Sequence, residues 1–74
     1  MNDAALGNAM KSLRAEAGLT QAELALQVGV TRKTINTVEN GVFIPSALLA
    51  LKIARALGQK VENVFWIQDE SDNS

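Results

Sequence analysis

The segment from Thr20 to Gly29 carries the signals of a short helix whose two ends are both defined. Thr20 stands three residues before Glu23, so the Thr20 hydroxyl can accept from the Glu23 N–H while the Glu23 carboxylate accepts from the Thr20 N–H. Apolar residues then recur at intervals of three and four. Gly29 stops the pattern, because glycine adopts the left-handed conformation that follows many helices. We therefore predict a helix that begins at Gln21 and ends before Gly29.

A second short helix follows almost at once. Thr31 is a typical N-cap residue, and Ile35 and Val38 supply the apolar positions of the next helix. Since only residues 29–31 separate the two helices, they must cross steeply, as in a helix-turn-helix. Ala25 suits such a crossing, because a methyl group leaves room for a close approach. The helix-turn-helix core is predicted over residues 21–40.

Composition excludes several classes of function. The chain has 74 residues, which is the size of a single domain spanning 1–74, and it contains no cysteine and no histidine. Disulfides, thiolate–zinc sites and histidine-based catalysis are thereby excluded, so we expect no catalytic residue, no metal and no cofactor. No apolar run approaches the roughly 18 residues that span a bilayer, and the first residues lack the positive flank of a signal peptide. We expect a cytoplasmic protein without a membrane partner.

The charge balance points away from strong general attraction to nucleic acid. Net charge is −1 and the isoelectric point is about 5.2. Much of the acidity lies in residues 69–74, which include Asp69, Glu70 and Asp72 without any cation. We predict that 69–74 is a disordered acidic tail.

The remaining segments predict an all-α fold, a compact five-helix bundle that ends in a short apolar C-terminal segment. The first helix is expected from near Asp3 to Ala17; Gly7 within it costs roughly 1 kcal/mol relative to alanine, so its start could be as late as Asn8. Pro45 disfavours helical geometry before it, and Ser46 caps a fourth helix. That helix is apolar almost all round, so we expect it to be buried at the centre. The expected fourth and fifth helices are Ala47 to Leu57 and Val61 to about Phe65.

Six short motifs, in order, resemble the Cro/CI-repressor (Xre-type) helix-turn-helix family, the phage-repressor type of DNA-binding domain. They are T-Q-x-E-L-A at 20–25, a glycine at 29, V-T-R-x-T-I at 30–35, E-N-G at 39–41, P-S at 45–46 and L-K-I-A-R-A-L-G at 51–58. The resemblance covers residues 10–66. It implies a compact helical fold that binds double-stranded DNA with the second helix of the motif in the major groove.

The polar face of that recognition helix contains the candidate base contacts. Arg32 and Lys33 could be ordinary exposed residues, but cations at a helix N-terminus oppose the macrodipole, and an anionic partner explains them better. Arginine and lysine can donate to guanine, Asn36 can pair with adenine, and the Thr37 methyl can touch thymine. The candidate base contacts are Arg32, Lys33, Asn36 and Thr37.

A second set of residues is assigned to the DNA backbone. Gln21 lies at a helix N-terminus, where free N–H groups suit a phosphate, and it resembles a backbone-gripping glutamine of the family. Thr34 is ambiguous between a phosphate contact and a helix cap, and Asn40 between a backbone contact and a plain helix end. The candidate backbone contacts are Thr20, Gln21, Thr31, Thr34 and Asn40.

Two further features have structural roles in this interpretation. Arg14 and Glu39 resemble the internal ion pair that joins the first and third helices of the family. Phe65, Trp66 and Ile67 are three consecutive apolar residues, which cannot all point inward. They either cover the core or, with at least one exposed, form the contact between two copies, as small members of the family commonly pair through such segments.

The preferred function is a DNA-binding transcriptional regulator that acts as a homodimer, most simply a repressor. The alternative is an antitoxin-like interaction module that neutralises a partner toxin and regulates its own operon. A restriction–modification controller is a third variant and would again bind DNA. An enzyme is not expected, because no catalytic constellation emerges from the helical layout.

Overall fold

The computed structural model describes residues 5–69, which form five α-helices and a small two-stranded sheet. In chain order the elements are β1 (Ala5–Asn8), α1 (Met10–Ala17), α2 (Gln21–Val28), α3 (Arg32–Glu39), α4 (Ala47–Ala56), α5 (Val61–Val64) and β2 (Phe65–Gln68). The prediction of a mostly helical fold with five helices is confirmed. The prediction of an all-α fold is wrong, because β1 and β2 pair.

The first helix is shorter than predicted at its N-terminal end. It begins at Met10, and the residues before it form β1, which runs antiparallel to β2 with Leu6 opposite Ile67. The Ala9 N–H donates to the Val64 carbonyl at 2.9 Å, which ties the start of α1 to the end of α5. The alanine residues of this segment favour a helix, but intrinsic helix propensity is a weak effect. Pairing with a distant strand overrides it here. The predicted start near Asp3 lies outside the described residues.

The sheet also corrects the predicted roles of Gly7 and Phe65. Gly7 is a buried strand residue, and a Cβ placed on it would lie 2.4 Å from Trp66 Nε1 and 2.7 Å from Gln68 Oε1. Glycine is therefore required by the close approach of the indole, rather than tolerated inside a helix. Phe65 begins β2 instead of ending α5, because its backbone is extended.

The two helices of the motif have the predicted boundaries. The Thr20 hydroxyl accepts from the Glu23 N–H at 3.0 Å, and the Glu23 carboxylate accepts from the Thr20 N–H at 2.9 Å. Gly29 has a φ of 79° and ends α2, while the Thr31 hydroxyl accepts from the Thr34 N–H at 3.2 Å and begins α3. The turn between the helices thus rests on signals within a few residues of each other.

The buried side chains form one apolar cluster to which α1 to α5 and β2 contribute. Among the described residues its members are Met10, Leu24, Ala25, Val28, Ile35, Val38, Ile53, Ala54, Leu57, Val64 and Phe65. The expectation that α4 is buried on all sides is wrong: Leu48 is 63% exposed and Leu51 is 55% exposed. The helix packs mainly on α2 and α5, so a domain this small covers one side of it and leaves the other open.

No helix within residues 5–69 is both long enough and apolar enough to cross a membrane. The predicted disordered tail, 69–74, lies outside the described residues apart from Asp69.

Candidate DNA-binding surface

Helix α3 has one buried side and one open side. Ile35 and Val38 are fully or almost fully buried, whereas Arg32 and Lys33 are exposed in the first turn, which contains no acidic residue. Asn36 and Thr37, the other two candidate base contacts, are partly exposed. At about 100° of rotation per residue, the four candidates follow the side opposite to the buried one. The structure therefore places the four predicted base-contact residues on one accessible surface.

Arg14 and Glu39 form an ion pair between α1 and the end of α3. Arg14 Nε donates to Glu39 Oε2 at 2.8 Å, and Arg14 Nη2 donates to Glu39 Oε1 at 3.3 Å. The remaining guanidinium nitrogen, Nη1, donates to the Leu19 carbonyl at 3.0 Å. Only 15% of the Arg14 side chain and 5% of the Glu39 side chain are exposed. Both charges are thus largely removed from water and depend on each other.

Gln21 extends this ion pair to the recognition helix. Its Nε2 donates to Glu39 Oε1 at 3.0 Å, and its Oε1 accepts from Arg32 Nη1 at 3.4 Å. The result is a chain of polar contacts, Arg14–Glu39–Gln21–Arg32, which we call the polar chain. No sequence pattern indicates the Gln21 contacts, because the partners of Gln21 lie 18 and 11 residues away. Only the steep crossing of α2 and α3 brings these partners together.

Asn8 is a residue of the site that sequence reasoning missed. Its side-chain Nδ2 lies 3.3 Å from the Val38 carbonyl and 3.4 Å from the Glu39 carbonyl, both at the C-terminal end of α3. Its Oδ1 accepts from the Met10 N–H at 3.0 Å. Asn8 thereby joins the beginning of α1 to the end of the recognition helix. The sequence pattern predicts Asn8 within the first helix, whereas it ends strand β1.

The candidate backbone contacts already use part of their hydrogen-bonding capacity within the protein. The Thr20 hydroxyl oxygen accepts from Glu23, which leaves its O–H free to donate outward. Thr31 and Thr34 share a hydrogen bond between their hydroxyls at 3.1 Å, and Asn40 Nδ2 donates to Asn36 Oδ1 at 3.2 Å. These residues lie at the two ends of α3 and at the start of α2.

The three residues assigned to a dimer contact do not share one environment. Phe65 is 8% exposed and belongs to the core, so it offers little surface to a partner. Trp66 is 43% exposed and Ile67 is 74% exposed. Residues two apart in a strand point to the same face, so Ile67 lies on the face of Phe65, but its exposure shows that the core does not extend to it. Only Trp66 and Ile67 remain available to a partner.

Within residues 5–69, no group of three or more acidic residues is placed to hold a metal ion.

Comparison with known proteins gives consistent matches. The helix-turn-helix family HTH_3 matches residues 10–62. The uncharacterized HTH-type transcriptional regulator YgzD of Bacillus subtilis (strain 168) is 48% identical over 64 residues, which are 86% of this chain and 97% of YgzD. The antitoxin HipB of Escherichia coli O6:H1 is 40% identical over 52 residues, which are 70% of this chain but only 55% of HipB.

Two solved structures show the same fold. The restriction-modification controller protein C.AhdI of Aeromonas hydrophila has a TM-score of 0.69 and 33% identity, over 73% of this chain and 78% of C.AhdI. The master regulator for biofilm formation SinR, solved in complex with DNA, has a TM-score of 0.66 and 28% identity, over 72% of this chain and 86% of SinR.

Proposed function

Because this chain belongs to the Cro/CI-type (Xre-type) helix-turn-helix family, we propose that it is a repressor that binds an inverted-repeat operator as a homodimer. The family consists of DNA-binding transcriptional regulators, so the chain is a regulator of that kind and not an enzyme. The repressor role, the homodimer and the residues that contact DNA are the proposed part.

The observation that carries the proposal is the exposed cationic start of α3. Arg32 and Lys33 stand in the first turn, where the helix dipole disfavours positive charge by roughly 0.3–1 kcal/mol. When an anionic partner is bound, the positive charges at this position become favourable. The N-terminal residues of a recognition helix are also the ones that reach base edges in the major groove. We assign Arg32 and Lys33 to guanine, Asn36 to adenine and the methyl of Thr37 to thymine.

The polar chain supports this assignment by restricting Arg32. Its guanidinium is held by Gln21, which is itself held by the buried Glu39 carboxylate. Such restraint lowers the entropy that a long side chain loses when it docks on a base. Gln21 therefore positions Arg32 in addition to its proposed contact with the DNA backbone. The other proposed backbone contacts are Thr20, Thr31, Thr34 and Asn40.

A homodimer fits both the apolar C-terminal residues and the small number of cations. One copy can neutralise only a few phosphates, whereas two linked copies double the contacts and raise each other's effective concentration. Trp66 and Ile67 offer apolar surface for a two-fold contact. Two recognition helices about 34 Å apart would place the half-site centres about 10 bp apart.

Selection of genomic DNA fragments by the purified protein, followed by sequencing, tests the proposal. We expect an enriched inverted repeat. Arg32→Ala should then weaken binding by about 1–3 kcal/mol and relax preference at one base pair per half-site. Arg55→Ala is the matched control, since it removes the same charge from an exposed position on α4. If the two variants behave alike, Arg32 does not read a base.

The dimer is tested separately by sedimentation of the Ile67→Ser variant. Ile67 is more exposed than Trp66 and does not cover Gly7, so its replacement should leave the fold intact. We expect a folded monomer with much weaker operator binding. Leu26→Ser, at an 83% exposed position on α2, is the control and should remain dimeric. An Ile67→Ser protein that stays dimeric, or a parent that is monomeric at tens of micromolar, excludes this interface.

A second candidate function is an antitoxin that binds a toxin and represses its own operon. The similarity to HipB favours it, and Trp66 and Ile67 would then contact the toxin instead of a second copy. Purification of the protein from cells, followed by the genomic DNA selection described above, distinguishes the two functions. An enriched inverted repeat without a co-purified protein supports the repressor. A stoichiometric protein partner whose binding is lost in Ile67→Ser supports the antitoxin.

A further inference from the structure

The loop after α3 folds back along the recognition helix. Gly41, with a φ of 75°, reverses the chain, and its N–H donates to the Val38 carbonyl at 3.1 Å. The N–H groups of Val42 and Phe43 then both donate to the Thr37 carbonyl, at 2.9 and 3.1 Å. Three backbone hydrogen bonds to the last turns of α3 therefore hold this loop in place.

This arrangement keeps two apolar side chains in contact with water. Val42 is 76% exposed and Phe43 is 48% exposed, although both are held by an ordered backbone. They form one wall of an open cleft of about 340 Å³, whose other wall belongs to α3 and its N-cap: Thr31, Lys33, Thr34 and Thr37. The cleft is thus continuous with the surface proposed above to read DNA.

Thr37 lines this cleft, and its methyl group is the part of its side chain that makes no hydrogen bond. Its hydroxyl donates to the Thr34 carbonyl at 2.9 Å, so the O–H is already used within the helix. Thr37, Val42 and Phe43 together give an apolar region at the C-terminal end of the recognition surface. The polar groups of the cleft lie toward the N-terminal end, at Thr31 and Lys33.

Double-stranded DNA offers one apolar group in the major groove, the C5-methyl of thymine. We propose that Thr37, Val42 and Phe43 form an apolar subsite that binds this methyl group and so sets a preference for thymine at one position of each half-site. The inference rests on the proposed function, in which α3 lies in the major groove. It adds two residues of the following loop, Val42 and Phe43, to those that determine sequence preference.

Replacement of thymine by uracil tests the subsite, because deoxyuridine lacks only the methyl group. The operator recovered by genomic selection is remade with one deoxyuridine at a time, and its affinity is measured by fluorescence anisotropy. We expect the parent protein to bind about fourfold more weakly when one particular thymine of a half-site is changed, the effect of exposing a single methyl. Val42→Ser and Phe43→Ser should bind the two duplexes equally.

Ile44→Ser is the matched control, since Ile44 is 72% exposed in the same loop but does not line this cleft. It should retain the fourfold discrimination of the parent.

The inference is overturned if the parent tolerates uracil at every position. It is equally overturned if Val42→Ser and Phe43→Ser weaken both duplexes while keeping their ratio, which would place the apolar wall against deoxyribose. Failure to select any operator would instead refute the proposed function, and the subsite with it. Thermal melts of all the variants show whether any of them has lost its fold. Val42→Ser is the reference for these melts, because Val42 is highly exposed and its replacement should not change the melting temperature.

Discussion

The helix-turn-helix and the terminal sheet of this protein are held together over very different distances along the chain. In the helix-turn-helix, each helix start is closed by a hydrogen bond between residues three apart, such as Thr20 and Glu23. In the sheet, every pair joins the two ends of the described chain, such as Leu6 and Ile67. The first region depends on several independent local contacts, and the second on the mutual fit of two distant segments.

The difference predicts how each region responds to mutation. Loss of one local contact should have a modest and additive effect, because the other contacts remain. Loss of fit in the sheet should depend on which residue stands opposite, so that a second mutation can relieve the first. The contacts of Glu39 with Arg14 and Gln21, which lie 25 and 18 residues away, are exceptions to this local pattern.

We expect the largest effect from Glu39→Ala, which should lower the free energy of unfolding by about 3 kcal/mol. The substitution leaves the largely buried Arg14 guanidinium without its carboxylate and removes the partner of Gln21. Urea denaturation of the variant measures the loss. The double variant Arg14→Met and Glu39→Met is the control, because it removes both charges and should recover much of the stability. Equal losses in the single and double variants would show that an uncompensated charge is not the cause.

A smaller effect, about 2 kcal/mol, is expected for Gly29→Val. A Cβ at this position would meet no neighbouring atom within 4 Å, so the loss comes only from the positive φ of 79°. Gly29→Asn should be milder, because asparagine enters the left-handed region more readily than a β-branched residue. Thermal melts compare the two. A valine variant as stable as the asparagine variant would mean that the turn relaxes to another conformation.

These local features explain why the helix-turn-helix could be predicted from sequence. The capping pair of Thr20 and Glu23, the stop at Gly29 and the cap at Thr31 all act within three or four residues. Contacts between residues so close along the chain can be recognised from the sequence alone. The candidate base contacts followed from the same periodicity, since burial of Ile35 and Val38 determines which side of α3 is open.

The sheet could not be predicted in the same way. Residues 5–8 have no strong strand signal of their own, and only pairing with residues 65–68 gives them extended structure. For the same reason the hydrogen bonds of Asn8 to the end of α3 were missed. The exposure of Leu48 and Leu51 was missed because apolar content alone does not show how many neighbours a helix has.

The terminal sheet gives the next prediction, a loss of about 1–2 kcal/mol for Gly7→Ala. The new methyl group would lie within 3 Å of the Trp66 indole, which must rotate away and lose its packing on the strand. The matched control is the same change in a Trp66→Ala background, where alanine at position 7 should have little effect. Chemical denaturation of the four proteins of this cycle measures the coupling. If Gly7→Ala costs the same in both backgrounds, contact with the indole is not what requires glycine.

The smallest effects are expected at the helix caps, where Thr20→Ala and Ser46→Ala should each cost about 1 kcal/mol. Each substitution removes one side-chain acceptor for a first-turn N–H group, that of Glu23 or that of Leu49. The two caps belong to different helices and share no hydrogen-bond partner, so the losses should add to within about 0.5 kcal/mol in the double variant. Thr20→Ser is the control that keeps the acceptor and should retain most of the stability. Additive losses at the caps, together with strong coupling between Gly7 and Trp66, would establish the contrast between local capping contacts and the terminal sheet. A double-cap variant that loses much more than the sum would show that α2 and α4 depend on each other as closely as the two strands do.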